Sequence, residues 1–168
     1  MFARLWTRAR DYFRKLFPHE PEPGRFESGS EWSLRGFLAA APFVVPRREF
    51  LVYIPKGRSA WRRAPLVVLC HGCKQTPEEF AQGTRITELA DQHGFVVLLP
   101  RQNDRANPWR CWNWFDTRTM QGKGEAAIVA AQIRFVRRRY RCQRKRVLVA
   151  GMSAGGAFAA VMGLRYPG

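Results

Sequence analysis

The stretch that most constrains the fold runs from residue 146 to residue 157, where an apolar run leads directly into Gly-x-Ser-x-Gly. The Val-rich run 147–150 predicts a buried parallel strand, and the Ala-rich sequence that follows predicts a helix. In such a turn Gly151 and Gly155 fit where a Cβ would clash with neighbouring backbone. Ser153 would stand exposed at the tip, near the free N–H groups of the helix N-terminus. We interpret this stretch as a nucleophile elbow, with an ordinary Gly-rich strand-to-helix turn as the alternative.

Further apolar runs of strand length precede this stretch. They lie at residues 49–55, 66–70 and 95–99. A helix is predicted from residue 76 to residue 93, because Thr76, Pro77 and Glu79 form the pattern of a capping box with proline in the first turn. A second helix is predicted from about residue 122 to residue 140. Continuous apolar strands that alternate with helices predict an α/β protein, a parallel sheet covered by helices on both faces.

The 168 residues carry a formal charge of +16, with eight basic residues and no acid between residues 134 and 146. This charge raises the hypothesis of an anionic partner. No zinc-finger spacing, aromatic RNA-binding pattern or heptad repeat accompanies it, so we expect no nucleic acid and interpret the charge mainly as a solvated face. The Cys70-x-x-Cys73 pair has no second ligand pair at suitable spacing, and neither a metal nor a cofactor is expected.

The first 47 residues differ in composition from the rest of the chain. Apolar residues recur at helical spacing between Phe2 and Phe17, with basic residues on the remaining faces. This pattern predicts an amphipathic helix that packs on its own protein or lies on an anionic membrane surface. Residues 18–30 are interpreted as a linker, and a strand is considered at residues 35–45. We therefore divide the chain into a basic N-terminal segment with its linker, 1–47, and a catalytic portion, 48–168.

An exposed serine needs a general base, and the base needs a carboxylate that orients it. In the α/β-hydrolase arrangement these partners follow the serine in the order acid, then histidine. No Asp, Glu or His lies between Ala154 and Gly168. His71 is therefore a candidate base, although a histidine at the end of a strand beside Gly72 normally supports an oxyanion loop. His19 and His93 are interpreted as residues without a catalytic role.

Five motifs together resemble the poly(3-hydroxybutyrate) depolymerase family of esterases. They are Leu69-Cys-His-Gly-Cys-Lys-Gln75, Leu89-Ala-Asp-Gln-His-Gly-Phe95, Cys111-Trp-Asn-Trp-Phe115, Gly124-Glu125 and Gly151-Met-Ser-Ala-Gly-Gly-Ala157. The resemblance covers residues 50–167 and corresponds to the N-terminal half to two-thirds of such a catalytic domain. It implies that the chain forms the N-terminal portion of an α/β-hydrolase fold. It also implies cleavage of carboxylic esters, namely those of polyhydroxyalkanoate or its oligomers, with acetyl and feruloyl esters as related options.

The resemblance also implies roles for individual residues. Ser153 matches the nucleophile, and the backbone N–H groups of Cys73 and Ala154 match the oxyanion-hole donors. Trp112 and Trp114 match aromatic residues near the substrate cleft, with buried packing as the alternative. Members of this family are often extracellular, whereas no signal peptide is visible in this chain, so a cytoplasmic location is the alternative. Whether Cys73 pairs with Cys111 is open, and the hypothesis rests on two loops expected on the same rim.

The primary hypothesis is an incomplete serine esterase of the depolymerase type. Its rival is a non-catalytic basic protein that binds an anionic partner or the surface of a polymer granule. In the family's strand order the strand at 147–150 lies beside 66–70, and its other edge is normally paired by a strand after the elbow helix. We therefore expect an unpaired apolar edge and self-association.

Overall fold

The computed structural model describes residues 24–32, 47–57 and 63–167. Its five strands are β1 (Arg25–Trp32), β2 (Arg47–Ile54), β3 (Ala64–Cys70), β4 (Val96–Pro100) and β5 (Cys142–Gly151). Its five helices are α1 (Pro77–Thr84), α2 (Ile86–His93), α3 (Thr117–Met120), α4 (Gly124–Arg139) and α5 (Ala154–Arg165). The strands form one sheet in the order β1-β2-β4-β3-β5. None of the helices described is long and apolar enough to cross a membrane.

The sheet is mixed rather than parallel throughout. β3 pairs in parallel with both β4 and β5, whereas β2 is antiparallel to both β4 and β1. The expected order, with the strand at 147–150 beside 66–70, is confirmed. The predicted parallel sheet is confirmed for β3, β4 and β5 but does not extend to β1 and β2, because an apolar run shows that a strand is buried and does not encode its direction.

Helices cover both faces of the sheet, as predicted. On one face Leu66 and Val68 pack in a cluster with residues of α4 and α5, including Val129 and Phe158. On the other face side chains of β4 pack with α1 and α2. Neighbouring strand residues therefore point to opposite faces and are buried on both, which explains why the central strands are apolar without alternation. This two-sided burial fixes the ends of β3 and β5, where the candidate site lies.

The predicted linker is wrong at its C-terminal end, because Arg25–Trp32 forms β1, an edge strand paired with β2. Gly29 lies against the ring of Phe50, where a Cβ would be 2.6 Å from Cζ. A small residue is thus required at a position that composition alone assigns to a loop. The amphipathic helix at residues 2–17 and the strand considered at 35–45 lie outside the described residues. The division at residue 47 stays a prediction.

The helix predicted from 76 to 93 is two helices. The capping box is present, since Thr76 Oγ1 accepts from the Glu79 N–H and Glu79 accepts from the Thr76 N–H. The chain breaks at Arg85, whose φ of 51° lies in the left-handed region. Thr84 Oγ1 donates to the carbonyls of Phe80 and Ala81, and this local bonding competes with helix continuation. α2 then ends at Gly94 as predicted.

Candidate active site

The tight turn between β5 and α5 holds Ser153 in an unusual conformation. Its φ of 53° and ψ of −123° lie in a region that residues with a Cβ rarely adopt, and its side chain is exposed. The flanking glycines explain how the turn fits. A Cβ on Gly151 would lie 2.5 Å from the Gly155 backbone, and one on Gly155 would lie 2.2 Å from the Cys70 carbonyl oxygen. Backbone strain stored at an exposed serine is typical of functional sites.

A hydrogen bond holds the turn against the end of β3. The N–H of Met152 donates to the Cys70 carbonyl at 3.2 Å. Beyond that point, a Cβ on Gly72 would lie 3.4 Å from Cε and 3.6 Å from the carbonyl oxygen of Met152. The loop after β3 therefore passes beside the residue that precedes Ser153. This places the two segments predicted to carry the nucleophile and the oxyanion donors next to each other.

Two backbone N–H groups are available at this junction. Ala154 is the first residue of α5, where a helix has no internal acceptor for its N–H. Within the described part of the chain, neither the Ala154 N–H nor the Cys73 N–H donates a hydrogen bond. The dipole of the 12-residue helix α5 adds positive potential at the same point. Such donors stabilise a developing oxyanion.

His71 is buried, and both of its ring nitrogens are engaged. Its Nδ1 donates to the Gly72 carbonyl at 2.8 Å, and its Nε2 accepts the N–H of Gln102 at 3.2 Å. Burial, together with the nearby Arg101 and Arg110, lowers the pKa of this histidine. The hypothesis that His71 acts as the base is wrong, because it has no free nitrogen to offer Ser153. Its role is to hold the loop after β3.

A buried polar cluster, which the sequence did not reveal, supports the loop between β4 and α3. Gln102 donates through Nε2 to Glu125 and to the Cys111 carbonyl, and Asn113 donates to both carboxylate oxygens of Glu125. Arg48 lies 3.8 Å from the same carboxylate. The motif Gly124-Glu125 does not by itself predict a role for this carboxylate. The signal that could have identified it is an acidic residue at a helix start within an otherwise apolar helix face.

The loop after β3 and the loop before α3 are joined covalently. Cys73 and Cys111 form a disulfide bond, so the hypothesis that they pair is confirmed. Beside it the Lys74 N–H donates to the Trp109 carbonyl at 2.7 Å, and the Lys74 ammonium lies 4.3 Å from the centre of the Trp109 ring. These contacts fix the backbone of Cys73 relative to the aromatic loop. Cys70, in contrast, is a free buried thiol whose pKa is raised to about 12 by burial.

The two tryptophans assigned to the cleft differ in how far they are exposed to solvent. Trp112 is 2% exposed, stacks on Phe158 with ring centroids 4.6 Å apart, and donates from Nε1 to the His71 carbonyl. Its assignment to substrate binding is wrong, because its faces and its polar group are used inside the protein. Trp114 is 41% exposed and packs edge-on against Phe115.

Among the residues described, no cluster of three or more His, Cys, Asp or Glu could hold a metal ion.

The sequence profile described as "Esterase PHB depolymerase" matches residues 48–168. The chain is 34% identical over 120 residues to "Poly(3-hydroxyalkanoate) depolymerase C" of Paucimonas lemoignei, covering 71% of this chain and 28% of that protein. It is 31% identical over 104 residues to "Feruloyl esterase B" of Neurospora crassa, covering 61% of this chain and 35% of that protein.

Among solved structures, the acetyl xylan esterase from Aspergillus awamori superimposes with a TM-score of 0.69 at 20% identity, over 85% of this chain and 48% of that one. At this identity the likeness concerns the fold. The neighbours share the α/β-hydrolase fold with this chain. The chain therefore spans about a third of its sequence relatives and about half of this structural neighbour.

Proposed function

Because the chain belongs to the PHB depolymerase family of esterases, we propose that it provides the nucleophile and oxyanion hole of a serine carboxylic-ester hydrolase. The observation that carries this proposal is the conformation of Ser153. An exposed hydroxyl at a positive φ, flanked by two glycines that admit no side chain, lies beside two unbonded N–H groups. An ordinary turn between a strand and a helix requires none of these features.

In the proposed reaction Ser153 Oγ bonds to the carbonyl carbon of the ester, its proton passes to a base in solution, and that base later returns a proton to the oxygen of the leaving alcohol. The carbonyl oxygen acquires negative charge, and the N–H groups of Cys73 and Ala154 stabilise it by hydrogen bonds. Each such donor contributes about 3 kcal/mol to lowering the barrier. The intermediate then expels the alcohol and leaves an acyl-serine, which water hydrolyses.

The proton of Ser153 needs an acceptor. Of the histidines described, His71 is buried with both nitrogens bonded, and His93 ends α2 at the start of β4, away from the turn. The described residues thus supply the nucleophile and the donors without a histidine that could activate them. We expect the 168-residue chain to hydrolyse esters at least about a thousandfold more slowly than a relative with a complete triad.

The substrate class that we propose is polyhydroxyalkanoate or its oligomers. The relative with 34% identity is named for that activity, while others are named for feruloyl and acetylxylan esters. All are carboxylic esters, which the proposed chemistry requires. Exposed aromatic side chains near the oxyanion loop, Trp109 and Trp114, provide an apolar surface for such a chain.

Hydrolysis of a short-chain chromogenic ester by the 168-residue chain tests the proposal. The slow release of chromophore should be lost in Ser153→Ala and retained in Ser28→Ala, a substitution of an exposed serine on β1. Equal rates in both variants would overturn the assignment of Ser153. Full activity in the unaltered chain would contradict the expected lack of a base.

The disulfide supports an oxidising compartment, such as the extracellular space, as the place of action. Alkylation of the denatured, unreduced chain isolated from its native source would test this. Labelling of Cys70 and Cys142 alone supports it, and labelling of all four cysteines contradicts it.

Self-association through β5 is also proposed. Among the described strands β5 has a neighbour on one side only, and Leu148 on it is 60% exposed. An unpaired edge is a template for pairing, although the charged residues 144–146 oppose it. Size-exclusion chromatography in low and high salt tests the proposal. Salt should shift the chain to larger species, and a monomeric peak in both conditions would contradict it.

Membrane contact by the N-terminal segment concerns residues outside those described and stays a prediction.

A further inference from the structure

The positive charge of this protein is concentrated at one end of the sheet. The 43 residues after Glu125 contain nine Arg or Lys and no Asp or Glu. Seven exposed cations lie where β3 and β5 begin and where α4 ends: Arg63 and residues 138, 139, 141 and 144–146. We call this surface the basic end. The hydrogen bond from Gln143 Nε2 to the Arg63 carbonyl at 2.8 Å joins its two strands.

The basic end is separated from the candidate site by the length of β5. This strand starts with the basic end and finishes at Gly151, two residues before Ser153. β5 runs beside the seven residues of β3 from Ala64 to Cys70, so at about 3.3 Å per residue it spans about 20 Å. The charge is therefore not arranged to bind the substrate of Ser153, and it requires a separate explanation.

The carboxylates at this end are already engaged. Glu27 accepts from Tyr140 at 2.6 Å and from Arg25 at 3.0 Å, and Asp91 accepts from Tyr53 and pairs with Lys56. Within the described part of the chain, no carboxylate lies within ion-pair distance of a cation of the basic end. Arg139 interacts with Glu27 at longer range, adding to the hydrogen bond from Tyr140 in lowering the pKa of that carboxyl. Cations at the C-terminus of α4 interact favourably with the helix dipole. This interaction explains the presence of Arg138 and Arg139 but not that of the cations at 144–146.

We propose that the basic end docks on a membrane surface rich in anionic phospholipid. Six of its seven cations are arginines, and a single planar guanidinium group can bind two phosphate oxygens at once. Among the described residues the exposed tryptophans, Trp109 and Trp114, lie at the Ser153 end, so the described part of the basic end lacks the row of such rings on which single-stranded nucleic acids stack. Docking in this orientation leaves Ser153 facing away from the membrane and accessible to a polymeric substrate.

Co-sedimentation of the full 168-residue chain with lipid vesicles tests this proposal. The basic-end variant is Arg144→Gln/Lys145→Gln/Arg146→Gln. The matched control is Arg105→Gln/Arg118→Gln/Lys123→Gln, which removes the same charge from loops and a helix at the Ser153 end. The unaltered chain should bind phosphatidylglycerol vesicles, should not bind phosphatidylcholine vesicles, and should bind less in higher salt.

We expect the basic-end variant to need at least about tenfold more phosphatidylglycerol for half-maximal binding, and the control to change less than about twofold. Arg138→Gln/Arg139→Gln, on the exposed side of α4, should weaken binding in the same direction if the strand variant does not fold. Equal losses in variant and control would overturn the proposal, as would equal binding to both lipids. Tighter binding to single-stranded RNA than to vesicles at equal phosphate, lost in the basic-end variant, would assign the surface to nucleic acid instead. Because co-sedimentation measures binding and not the cleavage of an ester, these outcomes are distinguishable from a failure of the proposed hydrolysis.

Discussion

Gly155, on the first turn of α5, packs directly against the Cys70 carbonyl oxygen at the end of β3, where a Cβ would come within 2.2 Å of that oxygen. The oxygen also accepts the N–H of Met152 and cannot move away without losing that bond. The close approach of these two residues is what allows the serine turn to lie on the central strand. Gly155 is therefore a structural requirement of the site.

Gly155→Ala should destabilise the protein by at least about 2 kcal/mol, because backbone atoms must separate to admit the methyl group. Gly83→Ala is the matched control, since Gly83 lies in α1 with nothing within 4 Å of its added Cβ. The control should be neutral or stabilising by about 0.5–1 kcal/mol. Urea unfolding monitored by circular dichroism measures both, and equal stabilities would show that the glycine is not needed.

The stability of the protein should depend on pH through His71. Its pKa is lowered in the folded state by burial, so the unfolded chain binds the proton more readily. The contribution of the neutral ring is therefore present above about pH 6.5 and is lost as the pH falls below that value. His71→Asn should remove this part of the slope, and His93→Gln, an exposed control, should keep it. An unchanged slope in His71→Asn would contradict the assignment.

Trp112 and Trp114 should respond differently to truncation. Trp112→Ala removes the stacking partner of Phe158 and should cost about 3–5 kcal/mol. Trp114→Ala should cost less than about 1 kcal/mol, because much of that side chain is in solvent. Chemical denaturation compares the two variants. A small loss for Trp112→Ala would restore the interpretation of Trp112 as a residue of the substrate cleft.

Reduction of the Cys73–Cys111 disulfide should lower stability by about 2–4 kcal/mol, since the bond closes a loop with a sequence separation of 38. Cys73→Ser/Cys111→Ser should have the same midpoint as the reduced protein. Addition of reductant to this double variant is the control and should change nothing further. If reductant still lowered the stability of the double variant, the effect of reduction would not come from this disulfide.

The serine turn could be predicted from sequence because its constraints are local. Gly151 and Gly155 are separated from Ser153 by one residue each, and the clashes that they avoid follow from the turn itself. The positions of β3 and β4 were predicted closely for a similar reason, since both strands are buried on two faces. β5 is longer than predicted, because it already begins at Cys142, opposite Ala64, and is irregular until Val147, opposite Leu66, while the side chains of residues 144–146 remain in solvent.

The features that could not be predicted depend on distant partners. The burial of Trp112 is decided by Phe158, and the engagement of His71 is decided by the N–H of Gln102. β1 was missed because its glycine and serine residues are typical of loops, and only the ring of Phe50 explains the small residue at Gly29. The cluster around Glu125 joins several elements that no local pattern connects.

Covalent labelling of Ser153 by a serine-reactive fluorophosphonate, located by peptide mapping, tests the central claim most directly. We expect the folded chain to be labelled on the peptide that contains Ser153, slowly but in preference to Ser28, because the oxyanion donors stabilise the phosphorus oxyanion. The preference should disappear in Ser153→Ala and when the chain is unfolded in urea, since it depends on the folded turn. Labelling of Ser153 and Ser28 at equal rates in the folded chain would contradict the account.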